Sequence, residues 1–236
     1  MHPPESATVA PSPEPARYRT AEAAEATAAF LLRLRAKGVR DLAVLRALEA
    51  VPRDLFVPHR YADLAAKDVA LPIPCGQVMT EPFVLARMAE ALELGPTCRV
   101  LEVGCGSGYA CAVLARLSAS VVSVERYRSL ATQARTRLGA LGVVNVSVHW
   151  GDGLALPPEI GLFDRIVVHA CLDRVPAELG RHLSEHGCIV FGAASGDGPG
   201  QQMLVKGRSG PDGEFTILPV CRCRLRPLEL GRPQEL

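Results

Sequence analysis

Three glycines at every second position follow a short apolar run near the middle of this chain. Residues 100–109 read VLEVGCGSGY, so Gly104, Gly106 and Gly108 stand between a predicted strand and a predicted helix. Glycine lets the backbone approach a ligand closely because no Cβ stands in the way. A strand that enters such a turn and continues as a helix is typical of nucleotide-binding α/β folds. We therefore expect an open sheet with a ligand site at this turn.

Short apolar runs and helical patterns alternate after residue 97. Buried strands are predicted at four runs, residues 99–103, 121–125, 146–150 and 165–169. Helices are predicted at residues 109–117 and 130–141. This alternation favours parallel strands joined by right-handed crossovers, with helices on both faces of the sheet.

The last part of the chain has a different rhythm. Three further apolar runs lie at residues 188–191, 202–205 and 215–220. They lack long helices between them, which predicts an antiparallel hairpin at one sheet edge, with its turn at Pro211, Asp212 and Gly213. The expected fold class is α/β, a doubly wound Rossmann-like sheet that is mostly parallel with an antiparallel edge, plus an N-terminal helical extension.

The composition is that of an ordinary globular protein. Apolar residues make up 48% of the 236 positions, and 26 Lys and Arg against 25 Asp and Glu leave a net charge of +1. A dedicated nucleic-acid-binding protein would carry a strongly basic surface, and a membrane helix would need roughly 20 successive apolar residues. We therefore expect no nucleic-acid partner, no membrane partner and a cytoplasmic location, and we expect a monomer.

The eight cysteines lie at irregular positions without a CxxC pair. In a reducing cytosol they are expected to behave as small buried apolar side chains. Cys221 and Cys223 place two thiols on one face of a possible strand, but the sequence puts no further ligands nearby. No metal site is predicted.

Acidic residues stand where three of the predicted strands end. Glu102 precedes the first glycine, Glu125 ends the second strand 21 residues after Gly104, and Asp152 follows the third strand between two glycines. An acid at the end of the second strand binds ribose hydroxyls in this topology. A pyrophosphate gains nothing from a carboxylate beside the turn, whereas a nucleoside with a cationic end does.

This pattern indicates S-adenosylmethionine as the cofactor. The alternative is that these residues are only turn glycines and solvated acids. The predicted cofactor-binding residues are Glu102, Gly104, Cys105, Gly106, Gly108, Glu125, Asp152 and Gly153.

Several motifs resemble those of the protein-L-isoaspartate O-methyltransferase family. VPRDLFVP at residues 51–58 is similar to the family's VPR-x-x-FVP, and ALPI at 70–73 contains its LPI. Gly76, Gln77, Thr80 and Pro82 follow its GQT-x-SQP motif. The similarity also includes the segments at 101–109, 124–126 and 151–153, and it covers residues 20–226.

The resemblance implies transfer of the methyl group of S-adenosylmethionine to the free carboxylate of an isoaspartyl residue in a damaged protein or peptide. In the family the ester collapses to a succinimide, whose hydrolysis partly restores normal aspartate. A carboxylate is already ionised at pH 7 and needs no general base. We expect the rate to come mainly from alignment of the nucleophile, the methyl carbon and the leaving sulfur in a site shielded from water.

The acceptor side of the site is predicted on two segments. Thr80 stands where the family has a serine, and its hydroxyl is the predicted catalytic group, which orients the acceptor. Gln77 and Val78 are predicted to contact the substrate, as is His169 at the end of the fourth predicted strand. The alternatives are an N-cap role for Thr80 before Pro82 and simple packing of His169 at a strand end.

The acceptor segment also departs from the family pattern. GHGQT is replaced by PCGQV at residues 74–78, and SQP by Thr80, Glu81 and Pro82, so Glu81 adds a negative charge beside the predicted acceptor site. Two other functions therefore stay open. One is a methyltransferase of the same fold that acts on a different carboxylate or a small molecule, and the other is a non-catalytic S-adenosylmethionine-binding protein that works through partner contacts.

The sequence predicts four regions. Five of the first fifteen residues are proline, which predicts a disordered tail over residues 1–18. Residues 19–96 are predicted to form an N-terminal helical segment with the acceptor-site loop, including a helix from Thr20 to near Gly38 and a second helix capped by Asp41. The cofactor-binding core is predicted at 97–226 and a C-terminal tail at 227–236.

Overall fold

The computed structural model describes residues 21–196, 198, 200–210, 214–229 and 231, with side chains from residue 24 onward. The predicted tail at 1–18, the cap at Thr20 and the turn at 211–213 lie outside the described residues.

The α-helices of the described residues are α1 Ala21–Ala36, α2 Leu42–Ala50, α3 Pro82–Leu92, α4 Tyr109–Ala115, α5 Arg128–Ala140 and α6 Ala177–Gly180. Their strands are β1 Leu71–Pro72, β2 Val78–Met79, β3 Arg99–Val103, β4 Ser120–Glu125, β5 Val146–Trp150, β6 Phe163–Leu172, β7 Leu183–Ala194, β8 Gln202–Ser209 and β9 Phe215–Cys223.

The main sheet has seven strands in the spatial order β5-β4-β3-β6-β7-β8-β9. The strands from β5 to β7 are parallel to their neighbours, while β8 and β9 pair antiparallel. The chain proceeds from β3 to β4 and β5 on one side and returns to β6 on the other. Such a reversal opens a crevice at the carboxyl ends of the central strands, where ligands bind in open α/β sheets.

The two faces of the sheet are covered by different kinds of element. On one face, α3 packs Val84, Met88 and Leu92 against strand residues such as Val100 and Val167. Helices α4 and α5 cover the same face toward β4 and β5. The opposite face is covered by shorter elements, among them the single turn of α6 with Leu179 and the 3₁₀ turn Pro158–Ile160. The crossovers on that face are therefore short loops rather than long helices.

The N-terminal helices begin and end where the sequence predicts. Asp41 is the N-cap of α2, and its Oδ1 accepts hydrogen bonds from the backbone N–H groups of Ala43 and Val44. Pro82 is the first residue of α3, where a missing N–H costs nothing. Between these helices the chain forms two 3₁₀ turns, Arg53–Phe56 and His59–Leu64, and the short hairpin of β1 and β2.

The predicted strand positions are correct, but several strands are longer than predicted. β6, β7 and β9 extend beyond the apolar runs at 165–169, 188–191 and 215–220. Phe163, Ala170 and Leu172 at the ends of β6 are buried. Glu185 and His186 in β7 are exposed, and β9 contains no buried residue. The apolar runs therefore mark where a strand lies but not where it ends.

Candidate functional site

A single cleft lies above the carboxyl ends of β3, β4 and β6, at the point where the strand order reverses. It holds about 970 Å³ of space between atoms and is open to solvent on one side. Ten of the predicted site residues line it: Gln77, Val78, Thr80, Gly104, Cys105, Gly106, Glu125, Asp152, Gly153 and His169. Glu102 and Gly108 lie outside this lining.

The glycine turn follows β3 and leads directly into α4. Gly104, Gly106 and Gly108 have φ values of 90°, 52° and 89°, which favour glycine over any residue with a Cβ. Gly106 also lies under the hairpin, because a Cβ on it would come within 3.0 Å of Ile73 Cδ1. Gly108 has another role: a Cβ there would lie 3.1 Å from the Cβ of Ala134, so this glycine lets α5 pack against the turn.

Glu125 ends β4 and holds the turn in place. Its Oε2 accepts a hydrogen bond from Gly106 N at 2.9 Å, and its Oε1 accepts one from Tyr127 N at 3.0 Å. Burial raises the pKa of this carboxyl, and the backbone N–H groups that bind it act in the opposite direction. The contact with ribose predicted for Glu125 stays a prediction, and the residue lines the cleft.

Asp152 and Gly153 follow β5 and line the cleft. Asp152 Oδ1 accepts a hydrogen bond from Leu154 N at 2.9 Å, which fixes the loop. A Cβ on Gly153 would lie only 2.5 Å from Val103 Cγ1, so only glycine allows the loop to approach β3 this closely.

Glu102 lies beneath the glycine turn, completely buried. Its carboxyl accepts hydrogen bonds from Ser123 Oγ at 2.6 Å and Cys111 Sγ at 2.5 Å, and it contacts His169 Nε2 at 3.0 Å. Both oxygens are therefore engaged within the protein. Direct binding of a cofactor by Glu102 stays a prediction, and this burial does not favour it.

His169 connects that buried carboxyl with the cleft. Its side chain is 9% exposed and lines the cleft, and Nε2 is engaged by Glu102. The Cβ of His169 lies 3.6 Å from the position that a Cβ on Gly104 would occupy. Because Nε2 is taken, Nδ1 is the ring nitrogen that remains for a ligand.

Two buried thiols lie near the same carboxyl. Cys105 is buried and lines the cleft, while Cys111 on α4 donates to Glu102. Burial raises the pKa of the Cys111 thiol well above its usual value, so this cysteine stays protonated and unreactive at neutral pH. All eight cysteines are free thiols.

The hairpin of β1 and β2 brings the predicted acceptor segment over the cleft. Leu71 pairs with Met79 and Pro72 with Val78, and Ile73 N donates to Gln77 O at 2.9 Å. Gln77, Val78 and Thr80 all line the cleft. The hairpin therefore places the predicted acceptor side in the same cleft as the glycine turn, with Ile73 against Gly106.

Arg53 supports this segment from behind. Its buried guanidinium donates to the carbonyls of Ala65, Lys67 and Val69 at 3.2, 3.1 and 2.8 Å, and to that of Thr80 at 3.5 Å. Burial lowers the pKa of this guanidinium. Arg53 of the VPR motif thus lies outside the cleft and positions Thr80, which lines it.

The helix cap before α3 is Glu81 rather than Thr80. The N–H of Phe83 is satisfied by Asp68 Oδ1 at 2.8 Å, so the alternative role of Thr80 as an N-cap is wrong. Glu81 itself does not line the cleft. Burial raises the pKa of its carboxyl, as does the negative charge of the nearby Asp68. The positive charges of Lys37 and Arg53 lower it. The added negative charge therefore lies behind the hairpin and not in the site.

The C-terminal segment Arg226–Glu229 forms a further wall of the cleft. Cys171 N donates to Arg226 O at 2.8 Å and Leu228 N donates to Cys171 O at 3.1 Å, so the segment is bound to the end of β6. Glu229 receives hydrogen bonds from Tyr127 Oη at 2.6 Å and Gln77 Nε2 at 3.0 Å. Residues 227–229 thus belong to the site, although the sequence assigns them to a tail.

Sequence reasoning missed Tyr127, Arg226 and Glu229 as cleft residues. Tyr127 lies two residues after Glu125, and this spacing was the only signal for it. Glu229 lies 102 residues further along the chain, and nothing in its local sequence indicates a contact with Tyr127.

No group of three or more His, Cys, Asp or Glu side chains in the part of the chain that the structure describes could hold a metal ion. No helix within the described ranges is long and apolar enough to cross a membrane.

The motifs and the cleft match one known family over most of the chain. The model of the protein-L-isoaspartate(D-aspartate) O-methyltransferase family matches residues 25–231. The chain belongs to this family. The family and its Rossmann-like fold, both predicted from the sequence, are confirmed, as is S-adenosylmethionine as the cofactor.

Relatives of this methyltransferase family match nearly the whole chain. Protein-L-isoaspartate O-methyltransferase 2 of Rhodopseudomonas palustris (strain HaA2) is 47% identical over 207 residues, which cover 88% of this chain and 94% of that protein. The protein-L-isoaspartate O-methyltransferase of Caulobacter sp. (strain K31) is 42% identical over 207 residues, with the same two coverages.

Solved structures agree with the fold. A protein-L-isoaspartate O-methyltransferase superposes with a TM-score of 0.74 at 26% identity, over 86% of this chain and 66% of that chain. A putative member from Plasmodium falciparum, in complex with S-adenosyl-L-homocysteine, gives a TM-score of 0.71 at 21% identity, over 85% of this chain and 97% of that chain.

Proposed function

We propose that this chain transfers a methyl group from S-adenosylmethionine to the free carboxylate of isoaspartyl residues in damaged proteins or peptides. The observation that carries the proposal is the family match over residues 25–231. The cleft supports it, because the glycine turn and the segment with Thr80 line the same space.

The residues of the cleft fit the cofactor. The bare backbone at Gly104, Gly106 and Gly153 allows close approach, and Glu125 and Asp152 supply carboxyl groups at the strand ends. Carboxyl groups suit ribose hydroxyls and a cationic ligand, and they would repel a pyrophosphate. We therefore assign cofactor binding to these residues with Cys105, and an indirect role to Glu102 and Gly108, which shape the turn from behind.

S-adenosylmethionine supplies an electrophilic methyl group on a sulfonium centre. The protein does not need a general base, because the acceptor carboxylate is ionised at neutral pH. Its residues act by orientation and by exclusion of water. Thr80 offers a hydroxyl in the cleft, and this hydroxyl donates to the acceptor. Gln77 and Val78 hold the acceptor segment of the substrate, and His169 approaches it from β6.

We further propose a cytoplasmic monomer whose partners are damaged polypeptides, without nucleic acid or membrane partners. The net charge of +1 supports this, since a strong overall field would select substrates by their charge. The eight free thiols are consistent with a reducing compartment.

A methyl-transfer assay tests the proposal against its alternatives. The full chain receives labelled S-adenosylmethionine and matched peptides that differ only in isoaspartate or aspartate at one position. Base-labile label on the isoaspartyl peptide alone is the expected result. Label only on other carboxylates or small molecules would support the alternative acceptor, and cofactor binding without turnover would support a non-catalytic role.

The Thr80→Val variant tests the orienting hydroxyl. We expect kcat/KM to fall about 10- to 100-fold, since a hydrogen bond to a charged group contributes ~1.5–3 kcal/mol. Cofactor affinity is expected to stay the same. Thr216→Val, at an exposed position on β9, is the matched control. An equal loss of cofactor affinity in Thr80→Val would refute the orienting role.

A further inference from the structure

The carboxyl group of Glu229 is held by side chains from two other parts of the chain. Tyr127 Oη donates to Oε2 at 2.6 Å and Gln77 Nε2 donates to Oε1 at 3.0 Å. Arg126 Nε lies 3.8 Å from Oε2, and Arg126 Nη1 also donates to the backbone carbonyl of Glu229. Two neutral donors and one cation thus converge on one carboxyl group at the wall of the cleft.

These contacts make the site a carboxylate-binding site as it stands. The hydrogen bond from Tyr127 lowers the pKa of Glu229, as does the one from Gln77, so the carboxyl is ionised at neutral pH. Hydrogen bonds of this kind, from neutral donors to a charged acceptor, are stronger than those between neutral groups. Gln77 is also one of the residues of the acceptor segment that line the cleft.

Glu229 is placed so that its side chain can leave without unfolding its segment. The backbone is bound through Arg226 and Leu228 to Cys171, whereas the side chain of Glu229 is still 37% exposed. A rotation about its side-chain bonds moves the carboxyl into solvent. Tyr127 Oη and Gln77 Nε2 then border the space that the carboxyl has left, and Gln77 Nε2 keeps its place through Tyr127 Oη at 3.3 Å and the carbonyl of Cys75 at 3.5 Å.

We propose that Gln77, Tyr127 and Arg126 form a subsite for a carboxylate of the polypeptide substrate, and that Glu229 occupies this subsite until the substrate displaces it. The inference rests on the proposed function and deepens it. It adds Tyr127 and Arg126 to the substrate-binding residues and makes Glu229 an internal competitor. The exchange replaces one carboxylate by another, so the donors are satisfied in both states.

A charge-neutral variant tests the competition. Glu229→Gln keeps the shape of the side chain but loses its charge. The KM for an isoaspartyl peptide is expected to fall about three- to ten-fold, because apparent affinity scales with the fraction of molecules whose subsite is open. The peptide Kd, measured by calorimetry with S-adenosylhomocysteine present, is expected to fall equally. Glu185→Gln removes one charge from a side chain that is 90% exposed and serves as the control.

A second variant distinguishes two roles of Tyr127: binding of the substrate, or binding of the Glu229 side chain only. In the Glu229→Gln background, Tyr127→Phe is expected to raise both the KM and the peptide Kd about three- to ten-fold, the effect of one lost hydrogen bond. If Tyr127 only holds Glu229, this second change has no effect on either constant. That result would overturn the subsite.

Two further outcomes are decisive. In the first, the wild-type chain methylates the isoaspartyl peptide, but Glu229→Gln has the same KM and peptide Kd as Glu185→Gln. This result would refute the subsite and leave the proposed function intact. Failure of the wild-type chain to methylate any isoaspartyl peptide would refute the proposed function and, with it, the assignment of the subsite to the substrate.

Discussion

The buried carboxyl of Glu102 provides a sharp test of what the acid before the glycine turn does. It is completely buried, accepts hydrogen bonds from Ser123 and Cys111 at 2.6 and 2.5 Å, and contacts His169 Nε2 at 3.0 Å. Glu102→Gln removes the charge and one acceptor oxygen, so the hydrogen bonds from Ser123 and Cys111 weaken and one donor loses its acceptor unless His169 changes tautomer. A buried donor left without a partner costs ~1–3 kcal/mol. For a chain of this size we expect the melting temperature to fall by roughly 2–4 °C for each kcal/mol.

Thermal unfolding and cofactor titration of the same sample distinguish the two roles of Glu102. If it supports the turn from below, stability falls while the cofactor Kd changes less than about three-fold. Ser123→Ala removes one donor and is expected to lower stability in the same range, and Glu185→Gln is the surface control. An unchanged melting temperature with a cofactor Kd raised more than ten-fold would show that Glu102 binds the ligand directly, and would refute the indirect role.

Three further predictions concern the cofactor side and the C-terminal segment. Glu125→Ala is expected to weaken cofactor binding by ~1–3 kcal/mol, because the Gly106 N–H loses its acceptor, and an unchanged Kd by calorimetry would contradict this. Gly153→Ala should lower stability by ~1–3 kcal/mol in thermal unfolding, because its Cβ would meet Val103 Cγ1, and Val103→Ala in the same chain should recover part of the loss. The pKa of Glu229 is lowered in the folded state, so its contribution to stability is complete above the unfolded pKa and is lost as the pH falls through the folded value. The difference in melting temperature between wild type and Glu229→Gln should therefore vanish in that acidic range, and a difference that persists there would contradict the ionised contact.

The parts of the fold that depend on local chemistry were predictable from the sequence. Alternating apolar runs located the strands, Asp41 and Pro82 located helix starts, and the glycines at 104, 106 and 108 located the turn. Each of these signals rests on residues close together in the chain, because caps, positive φ angles and burial act over a few residues. Strand lengths were less predictable, since exposed residues such as Glu185 and His186 in β7 leave no apolar pattern.

The composition of the site was only partly predictable for the same reason. The sequence placed Glu125, Asp152 and the hairpin segment at the cleft. It could not distinguish Glu102 from the other two acids, because all three follow the same strand-end pattern. The difference arises from the register of the sheet, which sets Glu102 beside Ser123 and beneath the turn. Whether an acid is sealed beneath the turn or lines the cleft depends on neighbours from other strands, which no local pattern records.

The sequence by itself determined the family, the fold class and the cofactor, because these depend on motifs whose residues lie within a few positions of each other. Only the tertiary structure decided that Glu81 lies behind the hairpin, that Arg53 supports Thr80, and that Glu229 reaches Tyr127 across 102 positions of sequence. Those contacts form only once the strands have been ordered and the C-terminal segment has been bound to the end of β6.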